Sequence, residues 1–343
     1  MSSRPHGILR AGYPHLTTLG MWRVMNFPTD IALGDNDEIY VLLRSEGVPT
    51  VRIWSIDDMD QLTDDLKGFG SYGTSDGQFI WPVNILRDSS GTFFISDEAT
   101  NRITLLDDNG DFISKFGTKG TEAGQFNGPS GIAFDTEGNL VVVDTKNHRI
   151  QRYTKDGKYL GGFGEFGSNP GQLHSPWGIH VDEKNDIYVS DWGNNRVQVF
   201  SSIGDLKFLF GEPGQLDGQF NRPTGITVDN HGDIYVADWG NNRVLMFNQY
   251  GDYIWSFAGD AILSKVARNY MLTNAVSNRL RESGKLEREK YLRRPRSVRI
   301  DSEFRLWIPD FESYRIQVYK KDFVELDKTQ FTAPTRNPTL DVT

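Results

Sequence analysis

The chain has 343 residues, a formal net charge of −9 and no cysteine. Disulfides and thiolate metal sites are therefore excluded, and the acidic balance argues against general nucleic-acid binding. No run of 18 apolar residues occurs, so no membrane-spanning helix is expected. Residues 1 to 26 lack the apolar stretch of a signal peptide, and a cytoplasmic location is the expectation.

From residue 27 the chain repeats. Pro28, Pro82, Pro129, Pro176, Pro223 and Pro295 stand 54, 47, 47, 47 and 72 residues apart. A period of this size marks a solenoid, propeller or array. The unit is clearest at Ser175 to Phe200, SPWGIHVDEKNDIYVSDWGNNRVQVF, and again at Arg222 to Phe247. Gly-Ile-x-Val-Asp reads as one strand, Ile-Tyr-Val-x-Asp as a second and Arg-Val-x-x-Phe as a third. A fourth ends at Phe69, Phe116, Phe163, Phe210 and Phe257, each 47 apart. Strands rich in Val, Ile, Tyr and Phe, broken by Asn, Asp and Gly, fit β structure. Four strands in each of six units describe an all-β, six-bladed β-propeller over 27 to 328.

A propeller must close its ring, because an open blade leaves an unpaired edge. The arm at 1 to 26 is expected to close it, with 8 to 16 as the outer strand of blade 6. Supply from 322 to 328 is the alternative. Blade 1 is degenerate, with Leu43-Arg44 where other copies carry Asp. Blades 3, 4 and 5 are regular. Between blades 5 and 6 lies an insertion, 259 to 293, of different character. Ile262, Leu263, Val266, Ala267, Tyr270 and Met271 recur at helical spacing after Asp260, a candidate N-cap, with Gly284 a candidate stop. A shorter helix is expected at 285 to 292. Residues 258 to 299 hold eleven Lys or Arg against four acids, +7, which leaves −16 to the rest. The tail at 329 to 343 reads as loose and polar.

Asn147-His148-Arg149-Ile150, Asn-Asn-Arg-Val in the next two copies, and Gly-Gln-Phe-Asn-x-Pro-x-Gly-Ile resemble the NHL-repeat family. The likeness spans 27 to 320. It implies a six-bladed propeller distantly similar to peptidyl-hydroxyglycine amidating lyase and to gluconolactonase-like propellers. For function it implies several options: RNA-binding and protein-binding propellers, sensor domains and a metal-dependent lyase. That lyase holds zinc on histidines from three blades, an arrangement this sequence does not supply.

The internal copies separate construction from chemistry. Asp97, Asp144, Asp191, Asp238 and Asp310 recur with an Arg five residues on, which reads as a structural pair. The position two after each proline breaks the pattern: Asp30, Asn84, Gly131, Gly178, Gly225, Ser297. Blades 3 to 5 then offer a roomy glycine side, and blades 6, 1 and 2 a polar one. Trp81, Trp177, Trp192, Trp239, Arg222, Arg294 and Arg296 are expected around the same mouth, as ligand walls and anion contacts. Asp30 and Asn84 are hard oxygen donors suited to Ca²⁺ or Mg²⁺; bonds to neighbouring loops are the equal alternative.

Two function classes follow. One is a binding propeller whose mouth takes a small anionic or aromatic molecule or a protein segment, with Asn84, Ser297, the four Trp, Arg222 and Arg296 as contacts. The other is a lyase or hydrolase, with Asp30 as base or metal ligand, His174 as a further catalytic candidate and Arg294 holding an anionic substrate. In either case the insertion is expected to lie over the mouth as a lid; a helix packed on the outer wall, or an interface to a second subunit, is the alternative.

Overall fold

Each repeat folds into a four-stranded antiparallel sheet. In blade 3 the strands are Pro129–Phe134, Leu140–Asp144, Arg149–Tyr153 and Tyr159–Phe163. Six such sheets stand around one axis, with their opening strands side by side. The computed structural model describes residues 7–21, 24–35, 37–46, 50–56, 67–274, 276, 279, 281 and 287–326. The tail at 329 to 343 lies outside them.

The second strand of each blade is sandwiched between neighbouring sheets, so it carries apolar residues on both faces. Ile187–Asp191 and Ile234–Asp238 are buried throughout. The outer strands face solvent on one side, and Phe112–Phe116 is correspondingly exposed at Phe112, Ile113 and Lys115. The core is therefore divided into one cluster per blade interface. Tyr188, Val197, Ile226 and Phe247 pack between blades 4 and 5. Leu19, Ile31, Val41, Trp54 and Trp307 pack between blades 6 and 1.

The ring closes through His15–Leu19, which pairs Leu19 with Ile316 and Thr18 with Gln317 as the outer strand of blade 6. This lies C-terminal to the expected 8 to 16. Pro14 separates the two stretches; it has no N–H to give the ladder, and its carbonyl accepts the Lys320 N–H at 3.0 Å. The earlier stretch, Gly7–Gly12, pairs instead with Asp322–Leu326 in a separate ribbon. Both candidate closing segments are thus used, for different contacts.

The insertion differs from expectation in start and in place. Its helix is Lys265–Thr273, capped by Ser264, whose Oγ accepts the Ala267 N–H at 3.0 Å. Asp260 instead closes a turn, accepting the Ile262 N–H at 3.0 Å. Of the apolar stripe, Val266 and Ala267 are buried, while Ile262 and Tyr270 are largely exposed. A short helix follows at Glu287–Lys290, and the candidate stop Gly284 lies outside the described residues. The first helix packs on His15–Leu19, the outer wall of blade 6. The reason is the way the ends are held. Arg315 donates to the carbonyls of Asp260 (2.9 Å) and Glu289 (2.8 Å), as Arg149 donates to Thr121 (2.7 Å) and Glu122 (2.7 Å) in blade 3. No helix among the described residues is long and apolar enough to cross a membrane.

Candidate functional site

The proline ends of the blades form one face, because in blades 1, 2, 3 and 5 the opening proline pairs with the last residue of the second strand, as Pro129 does with Asp144. That Asp is the anchor of the face. Asp144 accepts the Asn127 N–H (2.7 Å), Asn147 Nδ2 (2.8 Å) and Arg149 Nε (2.9 Å). Asp191 and Asp238 repeat the pattern with Arg196 and Arg243 at 2.8 Å. Burial pushes the Asp144, Asp238 and Asp310 carboxyls up in pKa, against the pull of these donors. In blade 2 the Arg turns away: Arg102 donates to the carbonyls of Thr74, Ser75 and Gln78, and Asp97 keeps the Ile80 N–H at 2.7 Å.

The next loop residue has a left-handed backbone in five blades, with φ between 53° and 57° at Asn101, His148, Asn195, Asn242 and Tyr314. Asn tolerates this region well. Four of these side chains accept an N–H from the residue before the following proline: Gly128, Ser175, Arg222 and Arg294, at 2.8–2.9 Å. The repeated Asn-Asn/His-Arg text is thus a staple within and between blades.

The staple fixes Arg222 and Arg294 on the rim, both left-handed themselves. Arg222 lies over Trp192 (4.9 Å to the ring centre) and within 6.0 Å of Trp239. Arg294 covers Trp239 at 4.9 Å and pairs with Glu312 at 3.0 Å. The result is a row of alternating rings and guanidinium groups across blades 4, 5 and 6. Arg296 follows, 4.1 Å from the centre of Phe311. Its Nε and Nη1 are buried with no hydrogen-bond partner among the described residues. Burial and the nearby Arg44 lower its pKa to about 10. Arg44 pairs with Glu98 and lies 5.6 Å from the centre of Trp81, which is half exposed.

Ser297, Asp30 and Asn84 are brought together, as expected, but they bridge blades at the axis. Asp30 is fully buried and accepts five donors. These are Ser297 Oγ, Arg299 Nε (3.0 Å) and Nη2 (2.6 Å), Asn84 Nδ2 (2.6 Å) and the Ile85 N–H (3.0 Å). Asn84 passes the chain on, its Oδ1 accepting the Ile132 N–H at 3.1 Å. The opening strands of blades 6, 1, 2 and 3 are thereby tied in series. These residues do not fit a Ca²⁺ or Mg²⁺ ion, because the Arg299 guanidinium already neutralises the single carboxylate and faces both its oxygens. Among the described residues no group of three His, Asp or Glu could hold a metal.

The glycine side is not roomy. A Cβ on Gly178 would lie 2.1 Å from the Thr224 carbonyl oxygen, and one on Gly225 2.5 Å from Ser297 Cα. The Gly131 and Gly225 N–H groups donate to Trp177 and Arg296 carbonyls, both at 2.9 Å. Glycine stands there because adjacent backbones touch.

The candidate catalytic set is not assembled. Asp30 is committed to Arg299, Arg294 to Trp239 and Glu312, and His174 packs beside Phe166 (5.2 Å between ring centres) and His148 (5.9 Å). Arg44, Glu98 and Arg299 were missed by sequence reasoning. Arg44 and Glu98 occupy one loop column with Thr145, Trp192, Trp239 and Phe311, and Arg299 is four residues past Pro295. Reading the loop column across blades would have flagged Arg44 and Glu98.

A family model described as NHL repeat matches residues 126–153, 173–200 and 220–247. No curated protein matches the sequence. Among solved structures, virginiamycin B lyase from Staphylococcus aureus is 13% identical with a TM-score of 0.59, over 90% of this chain and 99% of that one. An auxiliary nutrient binding protein from Bacteroides thetaiotaomicron VPI-5482 is 14% identical with a TM-score of 0.59, over 91% and 73%. At such identities the likeness is one of fold. The chain is a six-bladed β-propeller that carries NHL repeats.

Proposed function

We propose that the proline face is a binding surface for a ligand with an anionic group and a flat apolar body, either a small molecule or a protein segment. One observation carries this reading: the Arg296 guanidinium is buried with two unpartnered donors, next to a second guanidinium on Arg44. Unmet donors on a buried cation are costly, and a carboxylate or phosphate would meet them. Phe311 and the row from Trp192 to Arg294 give the apolar body a wall. Binding is favoured over lyase or hydrolase chemistry because Asp30, the candidate base, is locked in an ion pair under the face.

Titration with benzoate, followed by tryptophan fluorescence and calorimetry, tests the reading. Saturable one-to-one binding that is lost in Arg296→Met supports it. Equal binding by benzyl alcohol, or by the Arg296→Met variant, rejects it.

A further inference from the structure

The other end of the axis carries a cavity of about 280 Å³, lined by His180, Val181, Asp182, Glu183, Val228, Asp229, Ile300 and Asp301 among others. It sits where the first strands of blades 4, 5 and 6 turn into the second. In these turns an Asp side chain accepts two backbone N–H groups. Asp182 takes those of Lys184 and Asp186, and Asp301 those of Glu303 and Arg305. The carboxylates are thus oriented by the turns; Asp301 is in addition paired with Arg305, and Asp229 with Lys321, so the acidic side of the cavity is that of Asp182 and Glu183.

No Lys or Arg lines the cavity. The nearby cations are each already paired with carboxylates. Arg299 holds Asp30, Arg305 holds Asp301 and Asp37, and Lys321 is fully buried between Asp229 and Asp233. His180 is the exception among the polar groups. It stands four residues after Pro176, in a column otherwise filled by Ala32, Leu86, Ala133, Thr227 and Arg299. It is partly buried and lines the cavity wall. Its ring meets Tyr188 edge-on at 6.3 Å, and its nitrogens have no hydrogen-bond partner among the described residues. Burial, with Arg299 nearby, keeps the imidazole neutral, so one ring nitrogen is a free acceptor.

We propose that this cavity is a second binding site, on the face opposite the arginine–tryptophan row, for a small organic cation such as a primary ammonium or guanidinium group on a short apolar stem. His180 accepts a hydrogen bond from the cation, Asp182 and Glu183 supply the field, and Val181, Val228 and Ile300 contact the stem. The volume is at the lower end for ligand sites, which limits the occupant to a small molecule.

The test is calorimetric titration of the whole protein with benzylammonium, using benzyl alcohol and benzoate as shape-matched probes. The expected result is one-to-one binding of benzylammonium, with benzyl alcohol far weaker, and movement of the His180 ring resonances in NMR. His180→Phe should weaken binding by about tenfold or more, the loss of one hydrogen bond to a charged group. Glu183→Gln, an exposed change at the rim, should weaken it several-fold and guards against a folding defect in the His180 variant. Glu137→Gln, an exposed acid in a blade 3 turn, should leave it unchanged; an equal loss there means loose attraction to an acidic surface and overturns the site. Benzyl alcohol binding as tightly as benzylammonium overturns it too. Arg296→Met should have no effect, so this site and the anion-binding face fail independently.

Discussion

Asp30 and Arg299 face each other through two hydrogen bonds, 3.0 Å and 2.6 Å, across the seam where the first blade meets the last. The residues are 269 apart in sequence and adjacent at the axis. Asp30→Ala leaves a guanidinium at the axis without its counter-charge and should cost about 3–5 kcal/mol in urea unfolding. Asp30→Ala combined with Arg299→Met should cost clearly less than the two single changes added. Additive losses would show that the pair is not coupled.

Arg296→Met should act in the opposite direction. The guanidinium is desolvated with unmet donors, and a Met of similar length keeps an apolar contact with Phe311. The variant should gain about 1 kcal/mol in urea unfolding while losing benzoate binding. A large loss of stability would mean that Arg296 holds the face together.

Replacing 261 to 290 by a short Gly-Ser bridge should leave both the ring and benzoate binding intact. The ends are already close: the Leu292 N–H donates to the Ala258 carbonyl at 2.8 Å. The cost is the burial of Val266 and Ala267 on blade 6, so a modest drop in Tm is expected. A strong change in benzoate affinity would restore the lid.

Acid should destabilise the protein through His180. Burial, helped by Arg299, lowers its pKa from the usual 6.5 to about 3. The unfolded chain therefore takes up a proton below pH 6.5 that the folded chain refuses, and stability falls as pH drops from 6.5 toward 3. The slope from this group is at most about 1.4 kcal/mol per pH unit. His15, His148 and His231 are shifted in the same direction, chiefly by burial. Urea midpoints measured at pH 7, 6, 5 and 4 should fall, and fall less steeply in His180→Gln. Identical slopes in the two proteins would refute this.

The blades were legible because a 47-residue period, marked by prolines and terminal Phe, is a signal along one dimension. The Asp–Arg pairs were legible for the same reason. The glycine column was misread because a sequence shows that a side chain is missing and not what occupies its place; at Gly178 the occupant is the Thr224 backbone. Ser297, Asp30 and Asn84 break one column and do meet, but as a bridge between blades and not as the ligand pocket expected of them. Their partner Arg299 lies in a column with no repeated chemistry, and ring closure alone brings it to Asp30. The helix was legible from its spacing. Its docking surface was not, because that depends on Arg315 clamping both ends of the insertion.

The strand at His15–Leu19 bonds only to Arg315–Lys320 within its sheet. During synthesis that strand emerges roughly 300 residues before its partner, a wait of about 15–60 s on the ribosome. Blades 1 to 5 have all their strands before the sixth begins, so they can form in order as an open arc. The arc's two exposed blade faces, bearing Ile31 and Val41 at one end and Tyr235 and Val244 at the other, stay unsatisfied throughout. A nascent chain held in this state is the form most open to chaperones, proteases and wrong partners. A defect confined to blade 6 should therefore show itself first as low yield in the cell, before any change in the finished protein.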